Sequence, residues 1–248
     1  MRTAVVTGAA RGIGAAIASR LASDGNAVGL LDIDEARCRE TAARLAAMGH
    51  WVAWAAADVA DEEAVNAAVR RLSEEVGGAD ILVNNAGFAR DVDLPEMSVD
   101  DWDLVQGVHL RGAFLAARAV IPHMRAAGWG RIIDISSISA NGHAGRANYC
   151  AAKAGLEGFT RALAAEQGRY GITVNAVAPG LVVTEMTIAS AGRRGLSLEA
   201  YLIDESAGIP AGRPGQPQDI AHAVAFFASE GAGFVTGQVL TVAGGVIV

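Results

Sequence analysis

Apolar runs of strand length recur along this chain, and most are followed by a stretch long enough for a helix. Thr3–Thr7, Ala27–Asp32, Trp51–Ala57, Asp80–Asn84, Arg131–Ser136, Thr173–Ala178 and Val239–Val242 read as strands. Gly12–Ser23, Asp34–Met48, Asp61–Val76, a long run from about Val99 to Ala127, and Ala147–Arg169 read as helices. Runs that are apolar throughout, rather than alternating, belong to strands covered on both faces. Strands that alternate with helices imply right-handed βαβ crossovers and a parallel sheet. The expected fold class is α/β: a doubly wound parallel sheet of about seven strands, flanked by helices, in one domain spanning residues 1–248.

One region breaks the rhythm. Residues 182–213 carry no strand pattern and include R-R-G-L-S-L-E-A-Y-L, which reads as one or two short helices over the sheet edge. An excursion of that length in a compact domain is usually a lid or binding loop.

Composition narrows the function classes. A net charge of −7 does not suggest a nucleic-acid partner. Hydrophobic residues make up 52% of the chain, but no stretch approaches the roughly 18 uninterrupted apolar residues of a membrane span. A sheet buried on both faces accounts for the apolarity. Cys38 and Cys150 match neither a disulfide framework nor a metal-ligand spacing, so no metal is expected. The start, M-R-T-A-V-V-T-G, enters a strand pattern at once without a basic leader, which points to a reducing, cytoplasmic location.

The first strand–helix turn reads V-V-T-G-A-A-R-G-I-G, with Gly8, Gly12 and Gly14 spaced G-x-x-x-G-x-G. Glycines there let backbone N–H groups approach a pyrophosphate at a helix N-terminus, and the place in the first βα unit favours a dinucleotide over a plain tight turn. Asp32 ends the second strand, 24 residues after Gly8. A carboxylate there accepts hydrogen bonds from adenine-ribose hydroxyls and repels a 2′-phosphate, which favours NAD over NADP. Arg11, Arg37 and Arg39 are nearby cations that soften this preference. Asp58-Val59 follows the third strand and either meets the adenine ring or, through Asp58, caps the next helix. N-N-A-G at Asn84–Gly87 closes the fourth strand; its small residues admit a cofactor, and Asn side chains can pin loops.

The stretch R-A-N-Y-C-A-A-K-A, residues 146–154, places Tyr149 and Lys153 one turn apart on a helical face. They are either a packed Tyr beside a snorkelling Lys, or an acid and the cation that tunes it. Taken in order, T-G-A-A-R-G-I-G, N-N-A-G, Y-C-A-A-K, N-A-V-A-P-G and the tail F-V-T-G-Q-V-L-T-V-A-G-G make the chain resemble the short-chain dehydrogenase/reductase family over nearly its whole length. The resemblance implies a Rossmann-type domain and selects the second reading. Tyr149 would exchange a proton with the substrate oxygen. Lys153, together with the nicotinamide's positive charge in the oxidised complex, would lower the phenol from its ordinary pKa of about 10, and Lys153 would also bond the nicotinamide ribose.

The resemblance also implies cofactor contacts from Gly8, Arg11, Gly12, Ile13, Gly14, Asp32, Asp58, Val59, Asn85, Ala86, Gly87, Tyr149, Lys153, Pro179, Gly180, Val182 and Thr184. Thr184, in P-G-x-x-x-T, is similar to the residue that bonds the carboxamide, and it can also cap a lid helix. The serine that bonds the substrate oxygen comes from S-S-I-S: alignment by the strand selects Ser137, whereas counting back from Tyr149 selects Ser136. Ser137 is preferred because loops absorb deletions. Ser139, Asn141, His143, Leu181 and the lid are candidate substrate walls.

Two departures stand out. Ala243 replaces the acid of a D-G-G tail, and H-L-R-G puts His109 where the family usually has Asn. That Asn commonly holds a water in a proton relay, which a neutral imidazole could replace. If it does, activity should show an extra titration between about pH 6 and 7.

The expected protein is an NAD(H)-dependent oxidoreductase interconverting a secondary alcohol and a ketone, with Ser137, Tyr149, Lys153 and His109 as its catalytic group. The alternatives are an NADPH-dependent 3-oxoacyl-thioester reductase and a dinucleotide-binding regulatory protein without turnover. The resemblance further implies a homo-oligomer, often a tetramer, packed through the two long helices and the last strand.

Overall fold

The structure is a computed structural model that describes residues 1–246. Its seven strands form one parallel sheet in the order β3-β2-β1-β4-β5-β6-β7. They are β1 Thr3–Thr7, β2 Ala27–Asp32, β3 Val52–Ala56, β4 Ile81–Asn84, β5 Gly130–Ile135, β6 Ile172–Pro179 and β7 Val239–Val242. Every residue of β1, β4, β5 and β6 is buried, as continuous apolar runs require.

Alternate strand residues feed two cores. Ala4, Val6, Ile81, Val83, Ile133 and Ile135 face one side, where α1 (Gly12–Ser23), α2 (Glu35–Ala47) and α9 (Pro217–Ala228) pack through Ile17, Cys38 and Val224. Val5, Leu82 and Ile132 face the other, against α3 (Glu62–Val76), α5 (Gly112–Ala127) and α6 (Ala147–Gln167) through Leu72, Leu115 and Leu163. The chain leaves β1 toward β2 on one side and later returns to β4 on the other. The crevice between the C-terminal ends of β1 and β4 is therefore the topological switch point.

Helix starts follow the caps. Asp34 and Asp61, read from sequence as first helical residues, are N-caps: their carboxylates accept from Arg37 N at 3.1 Å and Ala64 N at 2.9 Å. The long run read over 99–127 is α4 (Val99–Gln106), a π-helical turn over Gly107–Arg111, and α5. By length and composition this run could cross a bilayer, with a mean hydropathy of 1.2 over 18 residues. Its apolar residues Val105, Ala113, Leu115, Ala116 and Val120 are instead buried within the fold. The irregular 182–213 stretch holds two short helices, α7 (Glu185–Arg193) and α8 (Leu198–Ser206). The sequence reading assigns nothing to Pro217–Ala228, which is α9, begun by Pro217 and a Gln216/Asp219 capping box and packed on α1.

Candidate active site

β1 delivers the chain into the glycine turn at the switch point. Gly8 and Gly12 adopt φ of +63° and +55°, a region that side chains strain to enter. At Gly14 the reason is space: a Cβ would overlap the Gly8 carbonyl oxygen and lie 2.5 Å from Asn85 Nδ2. The N-N-A-G turn holds the loop from the other side. Asn85 Nδ2 donates to the carbonyls of Thr7 and Gly8, both at 3.0 Å, and Thr7 Oγ1 accepts from Asn85 N at 3.0 Å and Ala86 N at 3.1 Å. None of the described side chains caps α1, and its first turn holds no acidic residue. Its N-terminal donors at Gly12, Ile13 and Gly14 are thus suited to an anion. Asp32 Oδ2 accepts from Ala10 N at 2.9 Å and Oδ1 from Asp34 N at 3.0 Å. Each carboxylate oxygen keeps a further lone pair for a ribose hydroxyl. These residues fit the adenosine and pyrophosphate of a dinucleotide.

β5 and α6 bring the reactive side chains to the same crevice. Ser137 and Ser136 are consecutive at the end of a strand and point apart. The Ser137 hydroxyl accepts from Ser139 N at 3.1 Å and lies close enough to the Tyr149 phenol to lower its pKa. Ser136 is turned away, donating to Glu157 Oε1 at 2.9 Å. Of the two candidates, only Ser137 therefore faces Tyr149. The buried Asn148 sets the start of α6: its Oδ1 accepts from Tyr149 N at 2.7 Å, while Nδ2 reaches the Arg90 carbonyl at 3.3 Å.

Lys153 is 4% exposed, and its Nζ donates to the Ile135 carbonyl at 2.6 Å and lies 5.5 Å from the Tyr149 ring centroid. Burial lowers the ammonium to about 8, with the nearby Asp134 opposing the shift. Asp134 is fully buried and accepts from Asn84 Nδ2 at 2.8 Å and Thr160 Oγ1 at 2.7 Å. Burial pushes its carboxyl up to about 6 against those two bonds and the charge of Lys153. The depressed Tyr149 phenol expected for the oxidised complex rests on the nicotinamide's charge as well as on Lys153; the surroundings that the chain itself supplies act the other way. Burial raises the phenol above its ordinary value, and the Ser137 bond and the charge of Arg146 offset only part of that.

His109 belongs to the site. It sits in the π-helical turn, and its ring meets Tyr149 edge-on at 5.2 Å and 84°. Nε2 lies 3.1 Å from Phe88 N and 2.8 Å from Phe88 O, so the tautomer decides whether it accepts or donates; Nδ1 has no hydrogen-bond partner among the described residues. Gly87 leaves the room, since a Cβ there would overlap the imidazole. Burial, followed by the charge of Lys153, lowers the imidazole to about 3 against the Phe88 bond. The titration expected between pH 6 and 7 is therefore displaced far to acid, and the ring stays neutral at ordinary pH.

The remaining candidates surround this centre unevenly. Pro179 ends β6, and Gly180 follows it, tight against Ala243. Val182 buries its side chain and gives its carbonyl to the Thr187 hydroxyl. Thr184 caps α7, accepting from Thr187 N at 3.4 Å, and its side chain lies 3.7 Å from the point a Gly12 Cβ would occupy. The 182–213 stretch thus begins over the glycine turn. Asp58 does not cap α3, a role Asp61 fills; its Oδ1 accepts from Ala60 N at 2.9 Å. Val59 turns its side chain inward against Gly112. Ser139 is buried beneath Ser137, whereas Asn141 and His143 lie exposed at the rim.

Sequence reasoning missed three parts of the neighbourhood. Asp134 was visible only as an acid inside an apolar strand. Asp91 ties Arg146, beside Tyr149, to Arg193 on α7, each at 2.9 Å. Glu185 joins Arg11 and Arg37 across 174 and 148 residues of sequence. Ion pairs of that separation leave no local pattern.

A family model described as enoyl-(acyl carrier protein) reductase matches residues 8–247. The short-chain reductase protein NovJ of Streptomyces niveus is 45% identical over 98% of this chain and 92% of its own. The chain belongs to the short-chain dehydrogenase/reductase family. This short-chain dehydrogenase/reductase is also 44% identical to the (2S)-[(R)-hydroxy(phenyl)methyl]succinyl-CoA dehydrogenase subunit BbsD of Thauera aromatica, over 98% of this chain and 96% of that one. It is 44% identical to the 3-oxoacyl-[acyl-carrier-protein] reductase FabG of Pseudomonas aeruginosa, with the same two coverages. A crystal structure of a provisionally assigned gluconate dehydrogenase from Agrobacterium tumefaciens superposes with a TM-score of 0.91 at 35% identity, covering 98% of this chain and 95% of that one. As a member of the family, this short-chain dehydrogenase/reductase is an oxidoreductase that uses a nicotinamide dinucleotide on small molecules.

Proposed function

We propose that the protein interconverts a secondary alcohol and a ketone with NAD(H). The observation that carries this reading is the meeting of Ser137, Tyr149 and Lys153 beside the glycine turn. A bound nicotinamide dinucleotide supplies or accepts the hydride. Ser137 Oγ holds the substrate oxygen, and Tyr149 Oη gives it a proton in reduction or removes one in oxidation. A phenol kept neutral by burial suits the donor role at neutral pH. Lys153 provides positive charge below the phenol and would hold the nicotinamide ribose. His109 is a neutral, donor-or-acceptor wall beside Tyr149, placed to relay a proton in place of Asn. The α7–α8 stretch acts as a lid, since donors aimed at developing charge are strongest where water is excluded. Asp32 at the end of β2 supports NAD over NADP. We further place the protein in the cytoplasm as a homo-oligomer, with a tetramer as the expected form.

Two of the relatives are named for reactions on CoA- or carrier-borne acyl groups, which favours one second reading: reduction of a 3-oxoacyl thioester with NADPH. Asp32 and the acidic balance weigh against it, because an acidic carrier protein and a 2′-phosphate both seek cations. The Ser137/Tyr149/Lys153 set weighs against a regulatory protein without turnover.

The test is a turnover screen of secondary alcohols, ketones and 3-oxoacyl thioesters, each with NAD(H) and NADP(H), repeated on Tyr149→Phe. The variant should lose at least about a hundredfold in kcat while binding NADH as the parent does. Retained turnover in the variant would refute the role given to the phenol.

A further inference from the structure

The lid carries a carboxylate that the alcohol–ketone chemistry does not use. Glu185, the first residue of α7, places one oxygen, Oε2, between two guanidiniums: Nη1 of Arg11, in the glycine turn, and Nη1 of Arg37 at 2.8 Å, in the first turn of α2. Both arginines border the point where a ribose would meet Asp32. Asp32 is bonded to Ala10 N, next to Arg11, and to the backbone of Asp34, whose carboxylate lies 3.5 Å from Arg37 Nε. The planar, permanently charged guanidinium is the side chain best matched to a phosphate dianion. Two of them at the ribose edge, left free, would be the beginning of a 2′-phosphate site.

We propose that Glu185 is a specificity-determining residue of this enzyme: by occupying Arg11 and Arg37, it withdraws from the ribose edge the cations that a 2′-phosphate would need. The inference rests on the dinucleotide reading of the glycine turn and deepens it. With Glu185 present, Asp32, Asp34 and Glu185 outnumber the two arginines, and an incoming dianion meets net negative charge. With its charge removed, the carboxylates and guanidiniums balance, the Arg11 fork is free, and Arg37 keeps only its contact with Asp34. The discrimination is also coupled to the lid, because Glu185 follows Thr184, which lies over Gly12. The ion pairs are half-exposed, so the effect is moderate and salt-dependent.

The test compares two nucleotides that differ only by the 2′-phosphate, 5′-AMP and 2′,5′-ADP, titrated calorimetrically into the intact protein and into Glu185→Gln at low ionic strength. In the variant 2′,5′-ADP should tighten on the order of fivefold while 5′-AMP stays within about twofold. Adding Arg11→Ala to Glu185→Gln should abolish the gain. Equal changes for both nucleotides would show Glu185 to be only a lid latch, and no change for either would show the arginines to be irrelevant to phosphate; each result overturns the proposal. Failure of 5′-AMP to bind the parent protein would instead overturn the dinucleotide reading itself, and this inference with it.

Discussion

Replacing His109 by Asn, the residue more usual there in the family, should change how stability depends on pH. The His109 imidazole is 3% exposed and is lowered by burial from its ordinary 6.5 to about 3. Below pH 6.5 the unfolded chain takes up a proton that the folded chain refuses. The stability this group contributes is therefore complete above 6.5 and is lost as pH falls toward 3. At pH 5 the unfolded imidazole is almost wholly protonated and the folded one almost wholly neutral, a linkage loss of about 2 kcal/mol. Asn has no such proton to bind. Asp134 runs the other way: its carboxyl, raised from 3.8 to about 6, protonates first in the folded protein, so falling pH relieves its burial. That contribution is present in both proteins and cancels in their difference. The assay is urea unfolding of the parent and His109→Asn at pH 8 and pH 5, at one protein concentration. Whatever constant offset the smaller side chain brings, the parent should lose about 2 kcal/mol more than the variant between the two pH values. Parallel losses would mean that the folded protein protonates His109 freely, and the account of a neutral buried imidazole would be wrong.

Three further outcomes test the site. Ser137→Ala should reduce kcat by about a hundredfold or more through loss of a hydroxyl aimed at the substrate oxygen, whereas Ser136→Ala, which loses a bond to Glu157 and a long one to the Lys153 carbonyl, should retain most of it; steady-state kinetics decide. Gly14→Ala forces a methyl against the Gly8 carbonyl and Asn85, so it should lower the unfolding free energy by about 1–3 kcal/mol and weaken NADH binding, read by urea unfolding and cofactor fluorescence. The kcat/KM for ketone reduction should fall as pH rises through about 8, where Lys153 of the free enzyme loses its proton, and should show no step between pH 6 and 7 from His109.

What could be read along the chain was whatever depends on neighbours in sequence. The strand runs, the glycine turn, N-N-A-G and the Tyr149/Lys153 spacing are local patterns, because a β-strand, a tight turn and a helical face are each set within a few residues. They were enough for the parallel sheet and for the position of the crevice. Two local signals were passed over: the Pro217 start of α9, and an acid at 134 inside an apolar strand. The rest needed the folded chain. Ser137 rather than Ser136 faces Tyr149 because of how β5 ends against α6. The charge states of Tyr149, Lys153, Asp134 and His109 follow from burial, which no spacing encodes. The Glu185 link to Arg11 and Arg37 and the Asp91 link to Arg146 and Arg193 join elements that only packing brings together. Residue types and their order state which groups are available; electrostatics depends on distance and on how much water is shut out, and both are properties of the assembled fold.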